Sequence, residues 1–239
     1  MVTKTPKPEI RIAYLFIFHG RNVRQQMRLL KRLYNPNDYF YIHIDIRANL
    51  LHGYLKELHN GKNVIVTEQR YATIWGGASR VPMMTNAMRE MLANGWDFDF
   101  LNDMSGADYI LKDPKLFRAF LTKHQGMNFI WSTKAPNSKF LTENAVVQTF
   151  VECETHMYKL GPREVPAGIQ IDGGSDWYCL SKPFVEYIAL HREDDPLLKE
   201  LYSVFDYSLM AAESFFITSL KQSKFCTTLI NNNFRLINW

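Results

Sequence analysis

The sequence predicts a mixed α/β protein built on one mainly parallel central sheet that is flanked by helices. Continuous apolar runs at Ile12–Phe18 and Tyr39–Ile44 are typical of strands that are buried on both faces of such a sheet. The segment between them repeats its apolar residues with a helical period, and alternation of strand and helix indicates a parallel sheet. At 239 residues and 46% hydrophobic composition, the chain can bury a substantial core.

The first predicted helix contains Val23, Met27, Leu30 and Leu33, which recur at i, i+4, i+7 and i+10 and therefore share one face. The turn-forming sequence Asn35–Asp38 closes this helix. The next predicted elements are a helix near 50–59, a strand at 64–67, a helix from about 80 to 92 with Ser79 as its N-cap, and a strand at 98–102.

Helices dominate the prediction for the second half of the chain. They are expected around 114–123, 143–160, 182–190 and 213–222, with strands near 129–131, 177–180 and the C-terminal end. Residues 1–10 are predicted to be a disordered lead, and 11–239 to form one domain. The three cysteines include no CxxC pair, so zinc is not indicated, and a net charge of +4 is too mild for a nucleic-acid-binding protein.

Polar and glycine-containing groups follow the predicted strands at or near their carboxyl ends. They are His19–Arg21, Asp45, Thr73–Gly77 and Ser105–Asp108. Ligands of open α/β sheets bind in the crevice outside these strand ends, so the four groups predict a single site. Each residue also has a structural alternative: His19 as a turn histidine, Asp45 as a helix cap and Trp75 as part of the core. The glycine patterns of P-loop and dinucleotide-binding proteins are missing from the sequence.

The segment Asp172–Tyr178 combines two adjacent glycines with a carboxylate and an indole. The glycines allow the backbone to approach a ligand closely. Asp176 and Trp177 supply a hydrogen-bond acceptor and a flat apolar face, which together suit a sugar. The alternative interpretation is a tight turn that leads into a buried strand.

Other acidic residues are candidates for chemistry. Glu213 begins a helix, where a carboxylate usually stabilises the helix dipole, but beside two phenylalanines it is equally a candidate base because burial raises a carboxyl pKa. Asp97 and Asp99 form an Asp-x-Asp pair of the kind that holds a divalent metal, yet they precede a strand instead of following one. Glu152 and His156, one helical turn apart, are also candidate metal ligands, but a solvated helix face is the preferred interpretation.

Six stretches of the sequence form a recognisable series. They are HGR at 19–21, YIHID at 41–45, ATIWGGAS at 72–79, GGSDW at 173–177, AESFF at 212–216 and NNFRLINW at 232–239. Together they resemble the peptide O-xylosyltransferases, which belong to the wider family that includes the core-2 branching N-acetylglucosaminyltransferases. The resemblance runs from Arg11 to the last residue, in order and with few gaps.

The resemblance implies a GT-A-like nucleotide-sugar-binding fold and an inverting glycosyltransferase that works without metal or another cofactor. The implied reaction transfers xylose from UDP-xylose to serine of a proteoglycan core protein, at a Ser-Gly near acidic residues. This transfer initiates the heparan and chondroitin sulfate linker. The alternatives are a β-1,6-N-acetylglucosaminyltransferase of the same family and a truncated UDP-sugar-binding module without catalytic activity.

Individual site residues are also implied by the resemblance. Glu213 is the expected catalytic base, and Asp176 is expected to fix the acceptor serine, an orientation that lowers the barrier. The other expected substrate contacts are Ile17 and Asp45 at the uridine, Thr73, Ile74 and Trp75 along the nucleotide-sugar, and Trp177 at the xylose and serine.

The resemblance extends to parts of the protein outside this chain. It implies a type II membrane protein of the Golgi, with its anchor outside these residues and its catalytic domain in the lumen. The family's cysteine-rich segment and a basic pair that contacts the diphosphate lie downstream of the position of Trp239, so the domain is expected to be truncated at its C-terminus. The resemblance also implies an external disulfide partner for Cys226, and Asp103 stands where the family usually has Asn.

Overall fold

A seven-stranded sheet lies at the centre of the computed structural model, which describes residues 9–58, 61–133 and 141–237. Its strands are β1 (Ile12–Phe18), β2 (Tyr39–Ile44), β3 (Val64–Val66), β4 (Phe100–Ser105), β5 (Asn128–Thr133), β8 (Gly173–Ser181) and β9 (Leu229–Ile230). Across the sheet they lie in the order β3-β2-β1-β4-β8-β5-β9. The strands β6 (Gln148–Cys153) and β7 (His156–Pro162) form a separate antiparallel hairpin.

Six of the seven strands run in one direction, and β8 alone runs against its neighbours β4 and β5. The helices are α1 (Val23–Leu33), α2 (Asn49–Leu58), α3 (Arg80–Ala93), α4 (Pro114–Lys123), α5 (Lys182–Leu190), α6 (Pro196–Phe205) and α7 (Ala212–Gln222). The predicted α/β fold, with a mainly parallel central sheet flanked by helices, is confirmed.

Two hydrophobic cores, one on each face of the sheet, hold the helices in place. Alternate residues of β1 point to opposite faces, so Leu15 joins one core and Phe16 the other. The core that contains Leu15 includes buried residues of α3, α5, α6 and α7, and the core that contains Phe16 includes those of α1, α2 and α4. Because both faces are covered, the continuous apolar runs correctly predict β1 and β2 with their observed bounds.

A buried ion pair joins the beginning of the sheet to α4. Asp38 accepts a hydrogen bond from the Ile12 amide (2.9 Å) and pairs with Arg118, whose guanidinium also donates to the Ile10 carbonyl. Ile10 is therefore buried within the fold. The predicted disordered lead of residues 1–10 extends too far by at least this residue, while residues 1–8 lie outside the described part of the chain.

The predicted helix at 143–160 is wrong. A single π-helical turn, Leu141–Val146, leads into the β6–β7 hairpin, in which Glu154 takes a left-handed conformation (φ 52°) at the turn. The adjacent β-branched and aromatic residues Thr149, Phe150 and Val151 of β6 favour a strand over a helix. Glu152 and His156 consequently lie on paired strands and not on a helix face.

Strand β8 begins at Gly173, so the predicted sugar-binding segment is the first half of a strand and not a tight turn. Gly174 is required there, because a Cβ at this position would lie 2.4 Å from the Trp131 carbonyl oxygen of β5. The pairing of β5 with β8 also shifts register between Ile130 and Ser132. Asp176 and Trp177 lie within this irregularity, between the paired residues Gly174 and Tyr178.

The remaining differences are smaller. Helix α6 was not predicted, and β4 starts at Phe100 and continues to Ser105, beyond the predicted strand at 98–102. Asp97 and Asp99 lie before this strand, where Asp97 pairs with Arg11 and Lys182 and Asp99 accepts the Arg11 amide. These contacts stabilise the end of the sheet at which β1 and β4 begin.

Candidate active site

A cavity of about 790 Å³ lies where the parallel strands end. Its walls come from the segment after β1, the loop before α3, the loop after β4, the start of β8, the first turn of α7 and the chain after β9. Residues that line it include His19, Trp75, Arg80, Gly106, Asp176, Trp177, Glu213 and Arg235. Three of the four polar groups expected at the strand ends therefore reach one cavity, together with the segment from β8.

Glu213 lies in the first turn of α7, and its position depends on the chain just before it. Met210 has a left-handed backbone (φ 57°), its amide donates to the Gly76 carbonyl (2.8 Å), and its carbonyl accepts the Glu213 amide (3.1 Å). The following residues Phe215 and Phe216 are fully buried and fix the helix against the sheet. The loop before α3 and the start of α7 are thus joined directly beside the cavity.

Burial raises the pKa of Glu213 to about 7, and the nearby Asp176 carboxylate adds to this rise while Arg80 opposes it. Within the described ranges, the Glu213 carboxylate has neither a hydrogen-bond donor nor an ion-pair partner. A carboxylate in this state is a competent proton acceptor near neutral pH.

Asp176 differs from Glu213 because it has a direct partner. Its Oδ2 lies 2.7 Å from Nη2 of Arg80, and both side chains are largely buried. The site therefore contains two acidic side chains in different states, one desolvated and unpaired and one held in a charge-assisted hydrogen bond. Such a difference in environment separates the roles of two carboxylates.

Three indoles surround the carboxylates. Trp75 is 80% exposed at the entrance of the cavity, so it is not a core residue. Trp131 of β5 is partly exposed and Trp177 is half-buried, and both line the same cavity. Flat apolar faces beside carboxylates suit a ligand with both an apolar face and hydroxyl groups.

Asp45 lies next to the cavity, at the end of β2. It is buried and accepts two hydrogen bonds from the Arg47 guanidinium (2.7 and 2.6 Å), and its Oδ2 is 3.9 Å from Nδ1 of the cavity residue His19. Burial alone would raise the pKa of Asp45, but the hydrogen bonds from Arg47 outweigh burial and lower it. Burial lowers the pKa of His19, against the attraction of Asp45.

The remaining predicted residues lie beneath or beside the cavity and do not line it. Ile17 is buried in β1, and its carbonyl accepts the amide of the cavity residue Gly106 (3.2 Å). Thr73 is buried, its hydroxyl has no partner among the residues that the structure describes, and its carbonyl accepts a hydrogen bond from Arg47 (3.1 Å). The Ile74 carbonyl accepts the Gly77 amide (3.1 Å), which closes the turn that presents Trp75.

Arg80 lines the cavity and is not among the predicted site residues, while Glu152, a candidate metal ligand in the sequence, lies behind the loop before α3. Glu152 of β6 accepts hydrogen bonds from the amide and the hydroxyl of Ser79 (both 2.8 Å), so the predicted N-cap residue is itself held by the hairpin. Gly77 fits beneath this carboxylate, which a Cβ would approach to 2.8 Å. One sequence signal for Arg80 exists: a cation in the first turn of a helix opposes the helix dipole and needs a local reason.

Arg235 reaches the cavity from the segment after β9. Its guanidinium donates to the Asp103 carbonyl and lies 3.8 Å from the Asp103 carboxylate and 3.9 Å from that of Asp108. Its Nε is buried and unpaired in the part of the chain that the structure describes. The Arg235 guanidinium therefore adds a positive charge to the wall of the cavity.

The structure describes neither a metal centre nor a membrane span. Among the described residues, no group of three or more His, Cys, Asp or Glu side chains is arranged to hold a metal ion. Cys153, Cys179 and Cys226 are free thiols. None of the helices in the described ranges is long and apolar enough to cross a membrane.

The fold and the cavity define an α/β enzyme with its site at the carboxyl ends of the parallel strands. The model of the Core-2/I-branching enzyme family matches residues 12–239. The chain belongs to this family of glycosyltransferases.

Relatives with similar sequences include several xylosyltransferases. The chain is 45% identical to Xylosyltransferase 2 of Pan troglodytes and of Homo sapiens over 234 residues, which is 97% of this chain and 27% of each relative. It is 42% identical to Xylosyltransferase oxt of Drosophila melanogaster over 243 residues, covering 100% of this chain and 28% of that protein. The chain thus spans little more than a quarter of the length of these relatives.

One solved structure that resembles the chain is the 4-diphosphocytidyl-2C-methyl-D-erythritol synthase of Anaerococcus prevotii. The alignment covers 83% of this chain and 84% of the synthase chain. The TM-score is 0.38 at 12% sequence identity, which is too low to bear on fold or function.

Proposed function

We propose that this chain forms the catalytic domain of a protein xylosyltransferase, which transfers xylose from UDP-xylose to serine with inversion at the anomeric carbon. The observation that carries the proposal is the pair of unlike carboxylates in the cavity: unpaired Glu213 with a pKa of about 7, and Asp176 held by Arg80. The named relatives support xylose as the sugar and a protein as the acceptor.

In the proposed reaction Glu213 takes the proton of the serine hydroxyl as the serine oxygen attacks the anomeric carbon. The bond between this carbon and the diphosphate oxygen breaks, and its electron pair leaves with UDP. One base is enough, because the diphosphate departs without needing a proton. Asp176 orients the hydroxyl through Oδ1, since its Oδ2 is occupied by Arg80.

We assign the donor to the side of the cavity next to β1 and β2. Asp45 next to the cavity and Ile17 beneath it are the proposed uridine contacts, and Thr73, Ile74 and the cavity residue Trp75 are proposed to border the nucleotide-sugar. The proposed metal-independent chemistry requires protein cations at the diphosphate, and Arg235, which lines the cavity, is proposed to supply one.

The aromatic walls of the cavity favour a pentose donor. Trp75 and Trp177 are proposed to close the space that the hydroxymethyl group of a hexose would need. The acceptor is proposed to be an acidic Ser-Gly segment of a proteoglycan core protein, in the lumen of the secretory pathway. This reaction would initiate the linker of heparan and chondroitin sulfate.

The test compares UDP-xylose with UDP-N-acetylglucosamine as donor for an acidic Ser-Gly peptide, with EDTA present. We expect transfer of xylose only, with kcat/KM rising with pH and reaching half its maximum near pH 7, because Glu213 must lose its proton. Glu213→Gln should lower kcat by about 10²–10⁴-fold. Transfer of N-acetylglucosamine, loss of activity in EDTA or an active Glu213→Gln enzyme would contradict the proposal.

A further inference from the structure

We propose that Arg80 is a positioning residue of this site, which holds the Asp176 carboxylate in place and offsets its negative charge at Glu213. The proposal deepens the proposed function and rests on it for the catalytic part. Its electrostatic part concerns the protein alone and can be measured without substrate.

The location of Arg80 argues against a role in helix stability. It is the first residue of α3, where the positive end of the helix dipole disfavours a cation. The side chain is nevertheless largely buried and turned into the cavity, where it meets a carboxylate from β8 that is 96 residues further along the chain. A buried guanidinium at an unfavourable helix position is expected where its charge serves a neighbouring group.

The contact with Asp176 restricts the carboxylate geometrically. The 2.7 Å hydrogen bond between Arg80 Nη2 and Asp176 Oδ2 fixes one oxygen, so the other is the one presented to an acceptor hydroxyl. Nε of Arg80 is buried and has no hydrogen-bond partner within the described residues. The guanidinium therefore anchors Asp176 with one nitrogen and keeps a second donor inside the site.

The same guanidinium acts on the candidate base. Asp176 raises the pKa of Glu213, and Arg80 lowers it, so the cation reduces the repulsion that a second carboxylate would otherwise impose. The other charged or titratable groups that line the cavity are His19, Arg21 and Arg235. Without Arg80, the Asp176 carboxylate would act on Glu213 without this offset, and Glu213 would hold its proton to higher pH.

The electrostatic test follows the ionisation of Glu213 by carboxyl ¹³C NMR between pH 4 and 9, in wild type and variants without substrate. Arg80→Gln should raise the titration midpoint of Glu213 by about half a pH unit or more. Arg80→Lys keeps the charge and should stay closer to wild type. Arg24→Gln, an exposed arginine on α1, should leave the midpoint unchanged. Equal midpoints in wild type and Arg80→Gln would overturn the proposal.

The catalytic test measures the pH profile of xylose transfer. For Arg80→Gln we expect kcat at pH 7 to fall by about 10–100-fold, the acidic limb of kcat/KM to move to higher pH, and Arg80→Lys to recover part of the loss. A lower thermal midpoint with an unchanged pH profile would show a merely structural role and would overturn the proposal. If wild type transfers no xylose while the NMR midpoint still moves, the proposed function fails and the electrostatic role of Arg80 is supported.

Discussion

Asp103 illustrates how single buried charges shape this site. It lies in β4 at 1% exposure, accepts the Tyr178 amide (2.8 Å) through its carboxylate and faces Arg235. Burial raises its pKa to about 7, although Arg235 and the hydrogen bond from Tyr178 both oppose this effect. The fold thus tolerates an acid that resists ionisation directly below the cavity.

Replacing this acid should change how stability depends on pH. The native state binds the proton of Asp103 more tightly than the unfolded chain does. Proton binding by Asp103 therefore stabilises the native state fully only below about pH 4. That effect is lost as pH rises through 7. Asp103→Asn cannot ionise, and its unfolding free energy should gain about 2–4 kcal/mol relative to wild type between pH 4 and pH 8.

Urea unfolding of both proteins across this pH range measures the difference. Parallel curves for Asp103→Asn and wild type would contradict a raised pKa for Asp103 in the native state.

At the scale of single residues, the sequence predicts which acidic side chains belong to the site better than it predicts their contacts. Glu213 is recognisable because phenylalanines follow it in a helix start, and Asp176 because glycines and an indole flank it. For Arg80 the sequence offers only its unusual place at a helix start, since its partner is 96 residues away and only folding brings them together. The state of each carboxylate depends on such pairings, which local sequence does not encode.

Among the elements, β8 determines the geometry of the site because it carries Asp176 and Trp177 between β4 and β5. Its first residues fit only because Gly174 has no side chain. Gly174→Ala should lower the unfolding free energy by about 1–3 kcal/mol, because the added Cβ meets the backbone oxygen of Trp131, which cannot move aside like a flexible side chain. Xylose transfer should fall as well, since the strand beside Asp176 must shift.

Gly53→Ala is the matched control. This glycine lies in α2 and a Cβ there has no atom within 4 Å, so alanine should be neutral or should stabilise by up to about 1 kcal/mol. Equal unfolding free energies for Gly174→Ala and wild type in urea would contradict the required close approach.

The elements also show which sequence patterns are reliable. Strands β1 and β2 and helices α1, α4 and α5 were predicted with little or no error, because both sheet faces are covered and the helix periods are regular. The hairpin at 148–162 was predicted as helix, since its apolar residues can be read with either period. What holds the hairpin in place is the contact of Glu152 with Ser79, the residue before α3, which is a tertiary contact.

For the molecule as a whole, the ion pair of Asp38 and Arg118 joins α4 to the first two strands of the sheet. Asp38→Ala should lower the unfolding free energy by about 3–5 kcal/mol, because Arg118 would stay buried without its countercharge. Asp97→Ala is the control: its pairs with Arg11 and Lys182 are exposed, and their loss should cost less than about 1 kcal/mol. Chemical unfolding monitored by far-ultraviolet circular dichroism measures both, and similar losses for the two variants would contradict this difference.

The strand order of the sheet leaves β5 unpaired for a time in the nascent chain on the ribosome. Strand β5 ends at residue 133, but both of its neighbours are made later, β8 at residues 173–181 and β9 at residues 229–230. At typical synthesis rates of about 5–20 residues per second, roughly 2–10 s pass between the end of β5 and the completion of β8. During this interval both of its edges are open to pairing with other chains. We therefore expect chaperones that shield nascent chains to raise the yield of this domain, and to act mainly before residue 181 has emerged.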